Sequence, residues 1–399
     1  MFDVNYEEFE KYEEESEEDL RTVPDTFSEA VIWGTDWTVE TINSQLSKGN
    51  IDLNPKFQRR DAWNDMNKSR LVESLMLGIP VPPIILAEKK DNKGKYIVID
   101  GKQRLLAIRQ FCAKKESGFN KLKLKSLQFL TEINGKIIEQ IEDDYSYVDY
   151  KNQFENQTIR TVVIKNWPNE EFLFTVFLRL NTGSKKLSPQ ELRQALHPGP
   201  FLDFLDDATA NSQTFWELLN NNEPDSRMRD VELALRFYAF KHNLERNEGN
   251  LKLFLDNTCL LLNENWEKKE SEIKGNFRDL ENAINLCIDI FGKSAFSRFD
   301  GNKYNNRFNR PLFEVFTFYL SNKEIYNCIK KNKEGFKKDF ENISTIDSEF
   351  NESISSSTKG LSKVRFRFNK IADIISTFAD FPVPKLVKAD NRLSIKMEE

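Results

Sequence analysis

Histidine is almost missing from this chain: 399 residues hold two, His197 and His242, far apart in sequence. A histidine-based metal nuclease needs one imidazole as general base and further imidazole or amide ligands close by. These two do not make one. His197, in "ALHPGPF", reads as a helix-end residue, and His242 closes a helix, where a cation favours the dipole. Cysteine is scarce too, and Cys112, Cys259, Cys287 and Cys328 are scattered with no CxxC pair. A structural zinc site needs four nitrogen or sulfur ligands at short spacings, so these read as buried, reduced thiols. No apolar run approaches the roughly 18 residues that span a bilayer. The first residues are acidic where a secretory signal is basic and then apolar, and the expected compartment is the cytoplasm. An excess of positive charge is also absent. The formal net charge of −6 argues against a nucleic-acid binder that uses its whole surface. Glu7 to Asp19 is nearly all acidic and reads as a solvated tail, which leaves the remainder close to neutral.

What is present divides into three zones. Residues 1–26 form the acidic leader, closed by Pro24. Residues 27–196 alternate strand-like and helix-like segments. "WTVETI" and "IDLNP" are short and β-rich, and "NKSRLVESLMLG" has the 3–4 spacing of a helix ending before Gly78. "IPVPPIILAE" is a strand that starts at an edge or pairs only after Pro83, since proline donates nothing to a ladder. "YIVID" and "IRTVVIKNW" are further strands, and "NEEFLFTVFLRLN" is a helix. Residues 112–158 look like an insertion with a hairpin signal at Asn134-Gly135. Residues 197–399 read as helical, with 3.6-period apolar faces in "RMRDVELALRFYAFKH", "NFRDLENAINLCIDIF" and "PLFEVFTFYL". The expected class is α+β, followed by a mainly helical domain.

The chemistry concentrates at junctions between elements. In "YIVIDGKQRLLAIRQF" only Asp100-Gly101-Lys102-Gln103 separates a strand from a helix. A glycine turn leading directly into a helix points free N–H groups and the positive dipole end at one place, which suits an anion. Lys102 and Arg104 add charge, and a guanidinium fork fits phosphate oxygens. Asp100 repels phosphate, so its use is to orient Arg104, hold a metal ion or position a water; capping of the helix is the plain structural alternative. Two other stretches share this character. "LNPKFQRRDAW" places Gln58, Arg59 and Arg60 after a proline-kinked strand. "FLRLNTGSKKLSPQELRQA" ends a helix at Asn181, turns through Lys185-Lys186, and restarts at a capping box of Ser188, Pro189 and Glu191. Three polar, mostly basic segments at junctions of one α/β region can converge on a phosphate-bearing ligand.

The order of these segments resembles the ParB/sulfiredoxin-like fold. There an "NPxQPR"-like segment, a helix and a "GIxQPI" strand precede a "GERR" turn and helix, and "ENxQRxDLxPxE" follows. This chain has Asn54-Pro55-Lys56-Phe57-Gln58-Arg59, then Gly78 to Ile84, Gly101 to Arg104, and Asn181 with Leu187, Ser188, Pro189 and Glu191. It is more closely similar to the N-terminal family of GmrSD-type, modification-dependent restriction systems. Their hallmark "DGQQR" stands here as "DGKQR", and "RLNTGSKKLSPQELRQA" and "RMRDVELALRFYAF" share the likeness, which covers most of residues 30–245.

The resemblance implies nucleotide binding, with hydrolysis by some members, in defence against foreign DNA. It implies an NTP and Mg²⁺ as cofactors. Gly101 and Lys102 would cradle phosphates with Gln58, Arg59, Arg60 and Lys185, while Asp100, Gln103 and Arg104 would be the catalytic group. Asn181 matches the asparagine that helps hold Mg²⁺ in ParB-type sites. Leu180 stands where those proteins have a carboxylate, and Lys102 replaces the first glutamine of the hallmark. Many multidomain relatives also carry an HNH nuclease, which two distant histidines do not supply. DNA and a partner effector protein are the further expected partners, and a membrane is not. "SRFDGNKYNNRFNRP" and "KGLSKVRFRFNK" interleave cations with aromatics, a composition suited to phosphates and stacked bases. Arg365 and Arg367 are the candidate nucleic-acid contacts. The rival readings are a non-hydrolysing, nucleotide-gated DNA-binding module and a ParB-like nuclease.

Overall fold

The computed structural model describes residues 30–51, 53, 63–113, 118–180, 188–356, 358–389 and 392–397. The acidic leader, Gln58, Arg59, Arg60, Asn181 and Lys185 lie outside them. The described chain divides into two compact units at Leu196/His197.

In the first unit the order is β1 (Val31–Thr38), α1 (Val39–Ser47), α2 (Asp65–Met76), β2 (Ile84–Glu88), β3 (Tyr96–Asp100), α3 (Lys102–Phe111), α4 (Ile138–Glu142), α5 (Val148–Asn156), β4 (Thr158–Lys165), α6 (Glu170–Leu180) and α7 (Pro189–Leu196). The four strands make one mixed sheet in the order β1-β4-β2-β3. β2 runs parallel to β4, and the outer pairings are antiparallel. Side chains alternate across β2 and β3, so each strand feeds two cores. Ile84 and Leu86 join Val39, Leu75, Leu105 and Phe154 on the side of α1, α2, α3 and α5. Ile85, Ala87, Ile97 and Ile99 join Phe174, Phe177 and Leu192 on the side of α6 and α7. The turn after β3 therefore sits between two packed layers. β2 pairs only from Ile84, just past the prolines.

Local chemistry moves several boundaries. "WTVETI" is only half strand, because Thr38 Oγ1 accepts the Thr41 amide (3.1 Å) and starts a helix at Val39. Of "IDLNP", Ile51 forms an isolated bridge to Tyr96. Asn134-Gly135 is a turn with Gly135 at φ 79°, but no strands flank it. Buried Glu73 organises that segment instead: its carboxylate accepts the amides of Gln128, Phe129 and Leu130 at 2.7–3.0 Å. A single acid satisfying three N–H groups fixes a loop that periodicity does not reveal.

The second unit runs α8 (Pro200–Ala210), α9 (Gln213–Leu218), α10 (Arg229–His242), α11 (Leu251–Glu264), α12 (Trp266–Phe291), β5 (Ser297–Phe299), β6 (Tyr304–Phe308), α13 (Arg310–Leu320), α14 (Lys323–Lys331), α15 (Lys333–Ile346), α16 (Ser348–Ser353), α17 (Leu361–Ser376), β7 (Lys385–Ala389) and β8 (Arg392–Lys396). Two small hairpins thus interrupt the expected run of helices, one of them made by the aromatic-basic stretch Ser297–Pro311. A ladder of charges crosses the core between α10, α13 and α17. Glu232 contacts Arg310 and Arg236, and Glu314 joins Arg236 to Arg367, each at 2.7–3.1 Å. Arg367 is 2% exposed. It is a core residue and not a surface cation, because its guanidinium is taken by Glu314 and the Thr358 carbonyl. Arg365, two positions earlier on α17, is exposed. Among the described residues no helix is long and apolar enough to cross a membrane. Cys259 and Cys287 are buried, and burial pushes the half-buried Cys112 thiol up to about 12.

His242 is not the dipole-capping cation that its helix-end position suggests. Burial, outweighing the nearby carboxylate of Glu272, lowers its pKa to about 4, and the ring meets Asn276 Nδ2 at 2.9 Å. The unfolded chain takes up this proton near pH 6.5 and the folded chain near 4. Between those values the unfolded state binds more protons, so acid favours unfolding. The stability at stake, about 3 kcal/mol, is intact above pH 6.5 and lost as pH falls toward 4. Thermal midpoints measured across that window should fall less steeply for His242→Gln than for the wild type.

Candidate functional site

The site is built where β3 runs into α3. Gly101 is the N-cap of α3, with φ 100° and no side chain to cap the helix. That backbone conformation is strained for any residue with a Cβ. An added Cβ would also approach Ile84 Cγ1 at 3.1 Å and Arg104 Nη2 at 3.3 Å. Two independent constraints therefore call for glycine. The first hydrogen bond of the helix is Leu105 N–H to Gly101 O (3.0 Å). The amides of Lys102, Gln103 and Arg104 accordingly lie in the first turn, where no intrahelical carbonyl reaches them.

Asp100 does not cap the helix. Its Oδ2 accepts from Arg104 Nη2 at 2.7 Å, and the same Nη2 donates to the Pro83 carbonyl at 2.9 Å. That carbonyl belongs to the last of the prolines before β2, where the ladder has not begun. The proline lead thus delimits a strand and supplies an acceptor that aims the arginine. Asp100 is more than one-third exposed, while Arg104 is 13% exposed.

Lys102 departs from the phosphate-cradling role expected of it. It is buried, and its Nζ donates to Glu191 Oε1 at 2.6 Å. Glu191 acts twice. Its Oε2 accepts the Ser188 amide (2.7 Å) while Ser188 Oγ accepts the Glu191 amide (3.1 Å), so the capping box read from "SPQE" is formed. Its other oxygen binds the lysine of the glycine turn. A residue that sequence explains fully as a cap is also the anchor that fixes α7 to the start of α3. The partners are 89 positions apart, and no local pattern links them.

Both elements carry polar atoms that the fold leaves unsatisfied. Gln103 Oε1, Arg104 Nε, Gln190 Nε2 and Gln194 Oε1 are buried without a hydrogen-bond partner among the described residues. Buried polar groups are nearly always paired, by protein, water or ligand, so such a concentration suits a region completed by a polar molecule. Among the described residues no group of three or more His, Cys, Asp or Glu gathers as a metal cage. Asp100 is the carboxylate at the turn itself. The structure brings together Asp100, Gly101, Lys102, Gln103 and Arg104 with α7, and it places Arg365 and Arg367 in the other unit.

The Lys102–Glu191 pair is open to a direct energetic test. Removing one partner of a buried ion pair strands the other charge and costs about 3–5 kcal/mol, whereas replacing both is often neutral. Lys102→Met should therefore lower unfolding stability by about 3 kcal/mol, measured by denaturant titration. Lys102→Met/Glu191→Gln should regain most of that loss, since glutamine can still accept the Ser188 amide.

A family model described as GmrSD restriction endonuclease, N-terminal domain, matches residues 39–198. No curated protein and no solved structure matches the chain. The match opens at α1 and closes just after α7, so it holds both halves of the site; the likeness noted in Arg227–Phe240 lies beyond it. Over residues 39–198 this chain is similar to the GmrSD restriction endonuclease N-terminal domain family.

Proposed function

We propose that the first unit is a ParB/sulfiredoxin-like domain that binds and hydrolyses a nucleoside triphosphate, as a sensor or regulator in restriction of foreign DNA. The observation that carries this reading is the uncapped start of α3. A left-handed glycine, three first-turn amides and an aimed arginine meet there. The family match to a restriction system supports the defence role.

Roles divide by geometry. The amides after Gly101 receive a phosphate, with the helix dipole behind them. Arg104, held by Asp100 and the Pro83 carbonyl, turns its guanidinium to charge developing on the transferred phosphoryl group. Gln103, whose Oε1 is unsatisfied, accepts from and orients the attacking water. Lys102 is a positioning residue, because its charge is spent on Glu191. Mg²⁺ would neutralise phosphate charge, held by Asp100 together with Asn181, which lies outside the described residues. Gln58, Arg59, Arg60 and Lys185 would add phosphate contacts from segments that are likewise outside them.

Phosphate release from each of the four NTPs with Mg²⁺ tests the proposal. Arg104→Ala and Asp100→Ala should each reduce turnover by at least about 100-fold, the scale of losing one charge-stabilising group. Arg104→Ala should also weaken nucleotide binding in calorimetry. Turnover and affinity unchanged in both variants would remove the turn from the site.

A further inference from the structure

The sheet of the first unit ends on an unprotected strand. β1 pairs with β4 through all eight of its residues, and its other side has no neighbouring strand among the described residues. Edge strands are normally kept from pairing by lysine, proline, bulges or a short length. "VIWGTDWT" has no lysine and no proline, and it runs in unbroken register with β4. It also exposes apolar side chains on both faces of the sheet. Val31 and Trp33 are 45% and 58% exposed on one face, and Ile32 is 71% exposed on the other. Asp36 is the sole charge of the strand.

Asp36 and Gly34 share a face of that strand, and Arg160 of β4 serves both. Its guanidinium approaches Asp36 Oδ1 only to 3.4 Å, and both side chains are more than half exposed. It also lies across Gly34, in space that a Cβ would need: Arg160 Cζ is 3.0 Å from that position. Glycine weakens a strand interior and often marks a place where another group comes close. Here it lets the arginine reach toward the open edge of the sheet. An acid arriving beside Gly34 from outside would meet a cation already in place.

We propose that β1 is an interface for a second copy of this chain, paired antiparallel about a two-fold axis. Backbone groups face outward at alternate residues, so the axis passes between one residue and its own copy. Between the two Thr35 residues, it sets Asp36 of the second copy opposite Gly34 and Trp37 opposite Trp33. Opposite residues share a face. Each Arg160 then meets the other copy's Asp36, twice by symmetry, and Trp33 packs on Trp37 twice. An axis at Trp33 or Gly34 sets that aspartate against Ala30 or Ile32 instead, away from the guanidinium. The charges therefore select both the partner and the register. α1 begins at Val39, so the paired stretch is residues 32–38. β3 lies at the far edge of the sheet, which keeps both glycine turns outside the interface.

Sedimentation of the full chain over a concentration series tests this. One strand pair is a small interface, so a dimer dissociation constant of about 1–100 μM is expected. Asp36→Arg and Arg160→Asp should each weaken self-association by at least about tenfold, because like charges then face each other. Mixed together, the two variants should associate as the wild type does, since each supplies the charge that the other lacks. A role confined to the Asp36–Arg160 pair within one copy would not respond to mixing. Trp33→Lys, which adds an edge lysine at an exposed position, should abolish the dimer and serves where charge reversal perturbs folding. A wild type that stays monomeric to about 100 μM, variants that associate no better mixed than alone, or a dimer that Trp33→Lys keeps, overturns the assignment.

Discussion

The first unit depends on one buried ion pair. Lys102 and Glu191 come from motifs far apart in the chain, and their 2.6 Å contact lies almost wholly out of solvent. Two charges taken from water repay that cost only when geometry and further hydrogen bonds are good. Glu191 meets the condition by also closing its own capping box. The result is rigid placement: the first residue of α3 cannot shift without disturbing the start of α7. A site that uses backbone amides needs this, since amides cannot adjust by changing rotamer.

Around that anchor, each charge at the turn has a partner that limits its freedom. Asp100 and the Pro83 carbonyl hold Arg104, and Glu191 holds Lys102. The turn therefore presents little uncompensated side-chain charge. In the proposed function, attraction for an anion would rest on oriented N–H groups, the helix dipole and a guanidinium already pointed. Such preorganised dipoles cost no rearrangement when negative charge arrives. The second unit uses the same elements for a different end, with a glutamate dividing its two oxygens between arginines deep in a helical core.

Much of this was legible in the sequence, and the remainder has physical reasons for being hidden. Apolar runs and 3.6-period patterns predicted β2, β3, α3, α6, α10 and α13, because all of them pack apolar side chains into the cores. The Pro80–Pro83 run correctly delayed strand pairing to Ile84. The capping box at Ser188 was readable because its chemistry is local. Hidden were the interactions that join distant segments: Glu73 under the Gln128–Leu130 amides, Glu191 on Lys102, and Glu314 on Arg367. Each is a polar residue on an otherwise ordinary helix, and a polar residue reads as solvent-facing until tertiary structure covers it. Arg367 shows this best. Its exposed neighbour Arg365 has the same composition around it, and only the rotation of α17 separates core from surface.

Amide hydrogen exchange, with and without Mg²⁺ and a non-hydrolysable NTP analogue, tests the central claim that the glycine turn and α7 form one nucleotide-binding device. The account predicts added protection in two separate peptides, one over residues 101–105 and one over residues 188–194. Protection confined to other segments, or to neither peptide at saturating nucleotide, would contradict it.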